Sequence, residues 1–203
     1  RFWKPAARGR FDYLVESVVQ FGESRATAGS TVDLDHFAHY HHVALGYTFD
    51  ARFKPRLVAR YDRASGDDDP ADGDNDRFDT LFGARRFEYG PTGIYGAIGR
   101  RNLISPEVRF AVRPTPTTWI MLAWRDIQLH TGSDAWAEAG DNTGQGRSVG
   151  QQTEIRLRYE PCKSNLRFET GGAYLAGGRF RETSATGRRS DTRYFYFETI
   201  LTF

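Results

Sequence analysis

The sequence of 203 residues has one cysteine, Cys162, so an internal disulfide is excluded. No apolar run approaches the ~20 residues of a transmembrane helix. Neither charge sign is in real excess: 28 basic against 26 acidic residues leave a net charge of +2. The charges are scattered and no nucleic-acid motif is present, so DNA and RNA are not expected as partners. Histidine is scarce, confined to His36, His39, His41 and His42 in one group and His130 apart. With no serine motif beside them, an enzyme is not expected, and nothing calls for a cofactor. The chain opens Arg1-Phe-Trp-Lys-Pro, without methionine or an apolar leader. For an exported protein this predicts a leader processed away or lying upstream.

These absences leave one membrane architecture open. The strands of a β-barrel alternate, so their averaged hydropathy stays low. Aromatics make up 14% of the chain and glycines number 21, which suits aromatic girdles and tight turns. The last fourteen residues, from Ser190, show the alternation most clearly. Phe195, Phe197, Thr199, Leu201 and Phe203 share one parity; Tyr194, Tyr196, Glu198, Ile200 and Thr202 share the other. An outer-membrane barrel closes on such a strand, and Phe197, Leu201 and Phe203 resemble the C-terminal signal that the barrel-insertion machinery reads.

Seven more strands are predicted upstream, at about 11–22, 34–49, 56–65, 103–113, 117–130, 150–159 and 165–176. The connections alternate. Short ones centre on 50–55, 114–117 and 160–164; long ones cover 23–32, 66–100, 131–148 and 177–190. Short periplasmic turns and long extracellular loops distinguish outer-membrane barrels. The expected fold is therefore all-β, an antiparallel up-and-down transmembrane barrel. About eight strands are present, and residues 1–203 form one unit with a long extracellular loop at about 66–100.

Parity predicts the faces. A charge facing lipid at mid-membrane costs ~2–4 kcal/mol, so charges belong on the inner face. Arg60, Asp62, Glu107, Arg109, Glu154, Arg156, Arg158, Arg167, Glu169 and Glu198 all oppose the apolar set of their strands. Tyr47, Phe49, Tyr159 and Phe203 fall where a periplasmic girdle belongs. One exception stands out: His39 and His41 share parity with Val43 and Leu45. Either they lie above the membrane or a bulge switches the register.

Several segments resemble the alginate-export family of bacterial outer-membrane porins. They are Leu45-Gly-Tyr-Thr-Phe, Pro55-Arg-Leu, Tyr61-Asp-Arg-Ala-Ser-Gly-Asp-Asp-Asp-Pro, Phe78-Asp-Thr-Leu-Phe, Arg101-Asn-Leu-Ile-Ser-Pro, Arg113-Pro-Thr-Pro, Ser133-Asp-Ala-Trp and Val149-Gly-Gln-Gln-Thr-Glu. The resemblance runs in order from about residue 40 to the final strand; residues 1–35 match in pattern only. Barrels of that family are larger than eight strands, so the resemblance implies the C-terminal portion of a larger barrel. It also implies a bacterial outer-membrane location and passive passage of an anionic polysaccharide or small anionic solutes.

The residues expected to serve that passage are the inward arginines Arg56, Arg60, Arg109, Arg113, Arg125, Arg156, Arg158 and Arg167. Guanidinium groups hold carboxylates in a bidentate manner and keep their charge, and rings of them favour anions in a pore. The inward acids Asp62, Glu107, Glu154, Glu169 and Glu198 are nearly as many, so a lattice of cross-strand pairs is the competing expectation. The loop acids Asp72, Asp74 and Asp76 have the spacing that begins a calcium loop, but Arg77 follows where a glycine turn would be needed, so a solvated loop is expected. The expected partners are outer-membrane lipid, the insertion machinery and an anionic polysaccharide or small solutes. Two alternatives remain open at this point: a small eight-strand barrel with a filled interior for anchoring or adhesion, and a soluble ligand-binding barrel.

Overall fold

The computed structural model describes residues 1–25, 29–80, 88–91, 98–136, 142–161, 165–185 and 191–202. Cys162 and Phe203 lie outside them. In chain order the strands are β1 (Phe2–Lys4), β2 (Arg10–Ser24), β3 (Leu34–Thr48), β4 (Arg56–Ala64), β5 (Asp74–Asn75), β6 (Glu88–Pro91), β7 (Leu103–Thr115), β8 (Thr118–Gln128), β9 (Ser148–Tyr159), β10 (Leu166–Gly177) and β11 (Thr192–Leu201). One short helix, α1 (Arg179–Thr183), precedes β11. The sheet runs β1-β2-β3-β4-β7-β8-β9-β10-β11, antiparallel throughout, with β5 added in parallel to β3. The eight long strands are those the alternation predicts, within two residues at nearly every end. Neither β1, β5, β6 nor α1 is foreseen; all are too short to show a period. Among the described residues no ladder joins β11 to β1 or β2.

Consecutive long strands pair because their connections at one end are short. Two residues link β7 to β8, and seven link β3 to β4. The latter turn places Phe53 and Lys54 at positive φ, 69° and 46°, a tight reversal made without glycine. Pairing of β2 with β3 is unbroken over fifteen pairs, from Arg10↔Thr48 to Ser24↔Leu34. The bulge considered for the histidine strand is therefore absent, and His39 and His41 keep the parity of Val43. Register shifts occur elsewhere, between Val112 and Thr115 in the β7–β8 pair and between Ile127 and Gln128 in the β8–β9 pair.

The two faces of the sheet invert the arrangement of a water-soluble one. Leu122 and Ile155 are 51% and 54% exposed on one face; Glu107 and Arg125 on the other are 2% and 1%. Phe110, Leu57, Leu45, Val15 and Phe197 continue the exposed apolar surface across the strands. So large an apolar surface needs an apolar cover. The polar face turns inward because the sheet wraps around it. Strands β3, β4, β7, β8, β9 and β10 all contribute to one buried cluster at the long-loop end, including Tyr40, Leu103, Ile127, Val149 and Leu175. Phe78, Tyr89, Ile98, Trp136 and Phe180 enter that cluster from the loops and α1. At the short-turn end, outward aromatics gather instead. Phe11 and Tyr47 rings lie 4.7 Å apart, and Phe168 stands 6.5 Å from Tyr159 and 6.3 Å from Phe197.

Candidate functional site on the inner face

The inner face carries its charge in clusters that cross strands. Glu107 of β7 is the hub of the first. Its carboxylate meets Arg109 of the same strand at 2.8 Å, Arg60 of β4 at 3.5 Å and Arg125 of β8. Register brings them together: Arg60 and Arg125 both stand directly opposite Glu107. Arg125 also lies over the Tyr89 ring, 5.1 Å from its centroid, and donates to Ser105 Oγ at 3.2 Å. The second hub is Glu169 of β10, held by Arg156 at 2.5 Å and Arg158 at 2.9 Å and receiving the Tyr196 hydroxyl at 3.1 Å. Directly opposite it across β10–β11 stands Glu198.

The remaining candidates separate by position. Arg56 pairs with Asp12 at 2.5 Å. Gly46 makes room for that pair: a Cβ there would lie 2.6 Å from Asp12 Oδ1 and 2.8 Å from Arg56 Nη2. Asp62 is fully buried, accepting from the Tyr40 hydroxyl at 2.7 Å and bonding His42 Nδ1 at 2.6 Å. Glu154 is buried too, with Arg156 Nε 3.7 Å away, and segment 88–91 folds against it. Gly90 there has φ +75° and lies where a Cβ would collide with the Glu154 carboxylate. The Tyr89 carbonyl, next to it, accepts from Gln152 Nε2 at 3.1 Å. Arg167 pairs with Glu160 in the short turn at 2.7 Å, half-exposed.

Of the eight arginines, Arg113 stands apart. It alone has no carboxylate partner among the described residues. It faces a recess of about 450 Å³ at the short-turn end of the inner face, shared with Arg8, Lys54, Arg56, Arg109 and Trp119. No acid lines that recess. A second recess of about 670 Å³ lies further in, where Arg56, Arg60, Arg100 and Arg109 share the wall with Asp12 and Glu16. Lys54 and Arg8 were not foreseen. Lys54 sits in the turn two residues before Arg56, so its place at the short-turn end was readable; its inward direction depends on the positive-φ turn and was not.

The loop acids do not gather around a common point. Asp72 Oδ1 accepts from the Asp74 backbone N–H at 2.8 Å, a local turn, and β5 ties Asp74 to Asp35. No group of three or more His, Cys, Asp or Glu among the described residues is placed to hold a metal ion. Of the proposed terminal signal, Phe197 and Leu201 are exposed on the outer face.

A single sheet, charged within and apolar without, fits a protein that carries polar cargo past lipid. A search of the curated proteins finds no match. The sequence model of a family described as "Alginate export" matches residues 1–196, taking in residues 1–35, where the resemblance is one of pattern only. With that match over nearly the whole chain, and with the all-β architecture it requires in place, the chain belongs to the alginate export family, a family of membrane transport proteins.

Proposed function

We propose that the chain forms wall and mouth of a passive outer-membrane conduit for an anionic polysaccharide of the alginate type, without catalytic activity. The observation that carries this reading is the acid-free recess at the short-turn end, lined by Arg8, Lys54, Arg56, Arg109 and Arg113. Uronate polymers present a carboxylate on every sugar, and guanidinium forks match that group. Arg113 and Lys54 have no carboxylate partner among the described residues, so their charge is available to a passing chain. The deeper arginines are engaged by Glu107 and Glu169. They form a wall that is polar but largely neutralised, which suits passage better than tight capture. With short turns on the periplasmic side, as barrels of this kind are oriented, the basic mouth faces the compartment from which a polymer would leave. The outer surface meets lipid, and the outward row Phe195, Phe197 and Leu201 is offered to the insertion machinery.

The test is conductance of the full-length protein in planar bilayers under a salt gradient. Lys54→Glu combined with Arg113→Glu is expected to move the reversal potential toward cation selectivity and to abolish block by added polyuronate. An unchanged reversal potential with unchanged block would sink the reading.

A further inference from the structure

The exception of His39 and His41 persists in the structure. Both lie on the outward face of β3, where the unbroken register with β2 and β4 leaves them no route inward. They are not alone. Arg63 of β4 stands directly opposite His41, and Ser17 of β2 faces it from the other side, with Ser17 Oγ 3.0 Å from His41 Nδ1. The His39 ring lies 5.1 Å from that of His41 and 6.0 Å from that of His130. Arg63 Nη2 is 2.9 Å from His130 Nε2, and Arg147 donates to the His130 carbonyl at 2.9 Å. A compact basic patch thus interrupts a mainly apolar surface, on which Asp126 of β8 also lies.

Among the described residues no carboxylate pairs directly with the patch; Asp76 and Asp68 act on His39 and His130 only through space. Every arginine of the inner hubs has a carboxylate within reach; Arg63 and Arg147 have none among the described residues. The Arg63 Nε is buried without a hydrogen-bond partner. Burial, then the charges of Arg63 and His39, hold the His130 imidazole below its ordinary value, despite the more distant Asp68. The depth is also specific. Next beyond His39 along β3 stands Phe37, paired with Phe21 of β2, and both are strongly exposed. Aromatic residues so placed mark the membrane interface, and His39 and His41 follow just inside it, at a depth from which the long Arg63 side chain reaches the headgroups.

We propose that Arg63, His39 and His41, with His130 positioning Arg63, form an outward-facing site for a phosphate-bearing lipid headgroup of the leaflet at the long-loop end. The proposal rests on the outer-membrane reading above. His130 orients the guanidinium, its Nε2 accepting from Arg63 and its Nδ1 lying 3.3 Å from the Gly66 backbone nitrogen, while the remaining Arg63 donors and the imidazoles of His39 and His41 face the acceptor oxygens of a phosphate group. A headgroup anion at that level supplies the charge that the chain itself does not. The occupant would anchor the β2–β4 region and fix the depth of the wall in the bilayer.

The experiment uses the full-length protein in nanodiscs of phosphatidylethanolamine containing a minor fraction of diphosphorylated lipid A, with retained lipids counted by native mass spectrometry. The wild type should retain lipid A over phosphatidylethanolamine. Arg63→Gln should weaken that retention about fivefold, as loss of one interfacial cation does. His41→Gln, which keeps a side-chain partner for Ser17 and leaves Arg63 in place, should weaken it too. Equal retention by both variants, or no preference in the wild type, overturns the proposal. Heat-modifiable mobility and insertion are scored in the same samples. A wild type that inserts without preferring lipid A defeats this inference alone; one that does not insert defeats the membrane reading and this inference with it.

Discussion

At the scale of single residues, the inner face shows why counting charges misjudges their availability. Glu107 holds three guanidiniums and Glu169 two, and with the Arg56–Asp12 and Arg167–Glu160 pairs seven of the eight candidate arginines are tied to the wall. The same chemistry has very different weight at different depths. Glu169 has a side chain only 3% exposed, and Arg156 beside it 11%. Replacing Glu169 with Gln leaves Arg158 without a counter-charge and Arg156 with only Glu154, 3.7 Å away, and breaking such a buried pair costs about 3–5 kcal/mol. The exposed Glu160–Arg167 pair is of the other kind; Glu160→Gln should cost at most about 1 kcal/mol. Urea unfolding of the two variants in detergent micelles separates the cases, and equal losses would show that Glu169 is not a hub. Parity placed these residues on the right face. It did not reveal their partners, because each hub assembles from strands whose mutual register no single strand records.

At the scale of elements, the long strands were legible and the loops were not. Strands such as Thr153–Tyr159 alternate because one side meets charge and the other an apolar medium. The sequence of segment 66–100 carries no period. Its described part is held by side chains instead. Arg77 pairs with Asp134, whose Oδ2 also accepts from the Asp67 backbone N–H at 3.2 Å. Asn102, at φ 46°, donates to the Thr131 and Asp134 carbonyls at 3.0 and 3.2 Å, tying the two loops together. Asp67 pays for that closeness. Burial first, then the charge of Asp134, raises its carboxyl above the usual aspartate value. The folded loop therefore binds that proton more tightly than the unfolded one does. The group contributes most stability at low pH, and this is lost as pH rises from 3.8 through the raised folded value. Asp67→Asn should accordingly strengthen the loop at pH 7 and not at pH 3, read as hydrogen-exchange protection of residues 65–78. A gain of the same size at both pH values would remove the electrostatic account.

At the scale of the whole molecule, the decisive property is which face meets what. The inner face holds charge that is mostly paired and buried, Arg113 and Lys54 at the short-turn end excepted; the outer face is apolar, broken chiefly by the Arg63–His130 patch. That division is written in the parity of the strands. It could not show that loop residues such as Tyr89 and Trp136 would fill the long-loop end, since nothing periodic announces them. The division makes a depth-dependent prediction. Leu122 lies near the middle of β8, between Phe110 of β7 and Ile155 of β9 on the outer face. Thr118 has the same parity but opens the strand beside the short turn. In a bilayer, Leu122→Arg should cost about 2–4 kcal/mol and Thr118→Arg about 0–1 kcal/mol, because a guanidinium near the interface reaches water and one at the midplane does not. On a sheet whose outer face met water, both substitutions would be nearly silent. Urea unfolding of both variants from lipid vesicles distinguishes the two worlds: a steep difference between positions requires hydrocarbon around Leu122, and parity between them would mean that this surface is covered by something other than lipid.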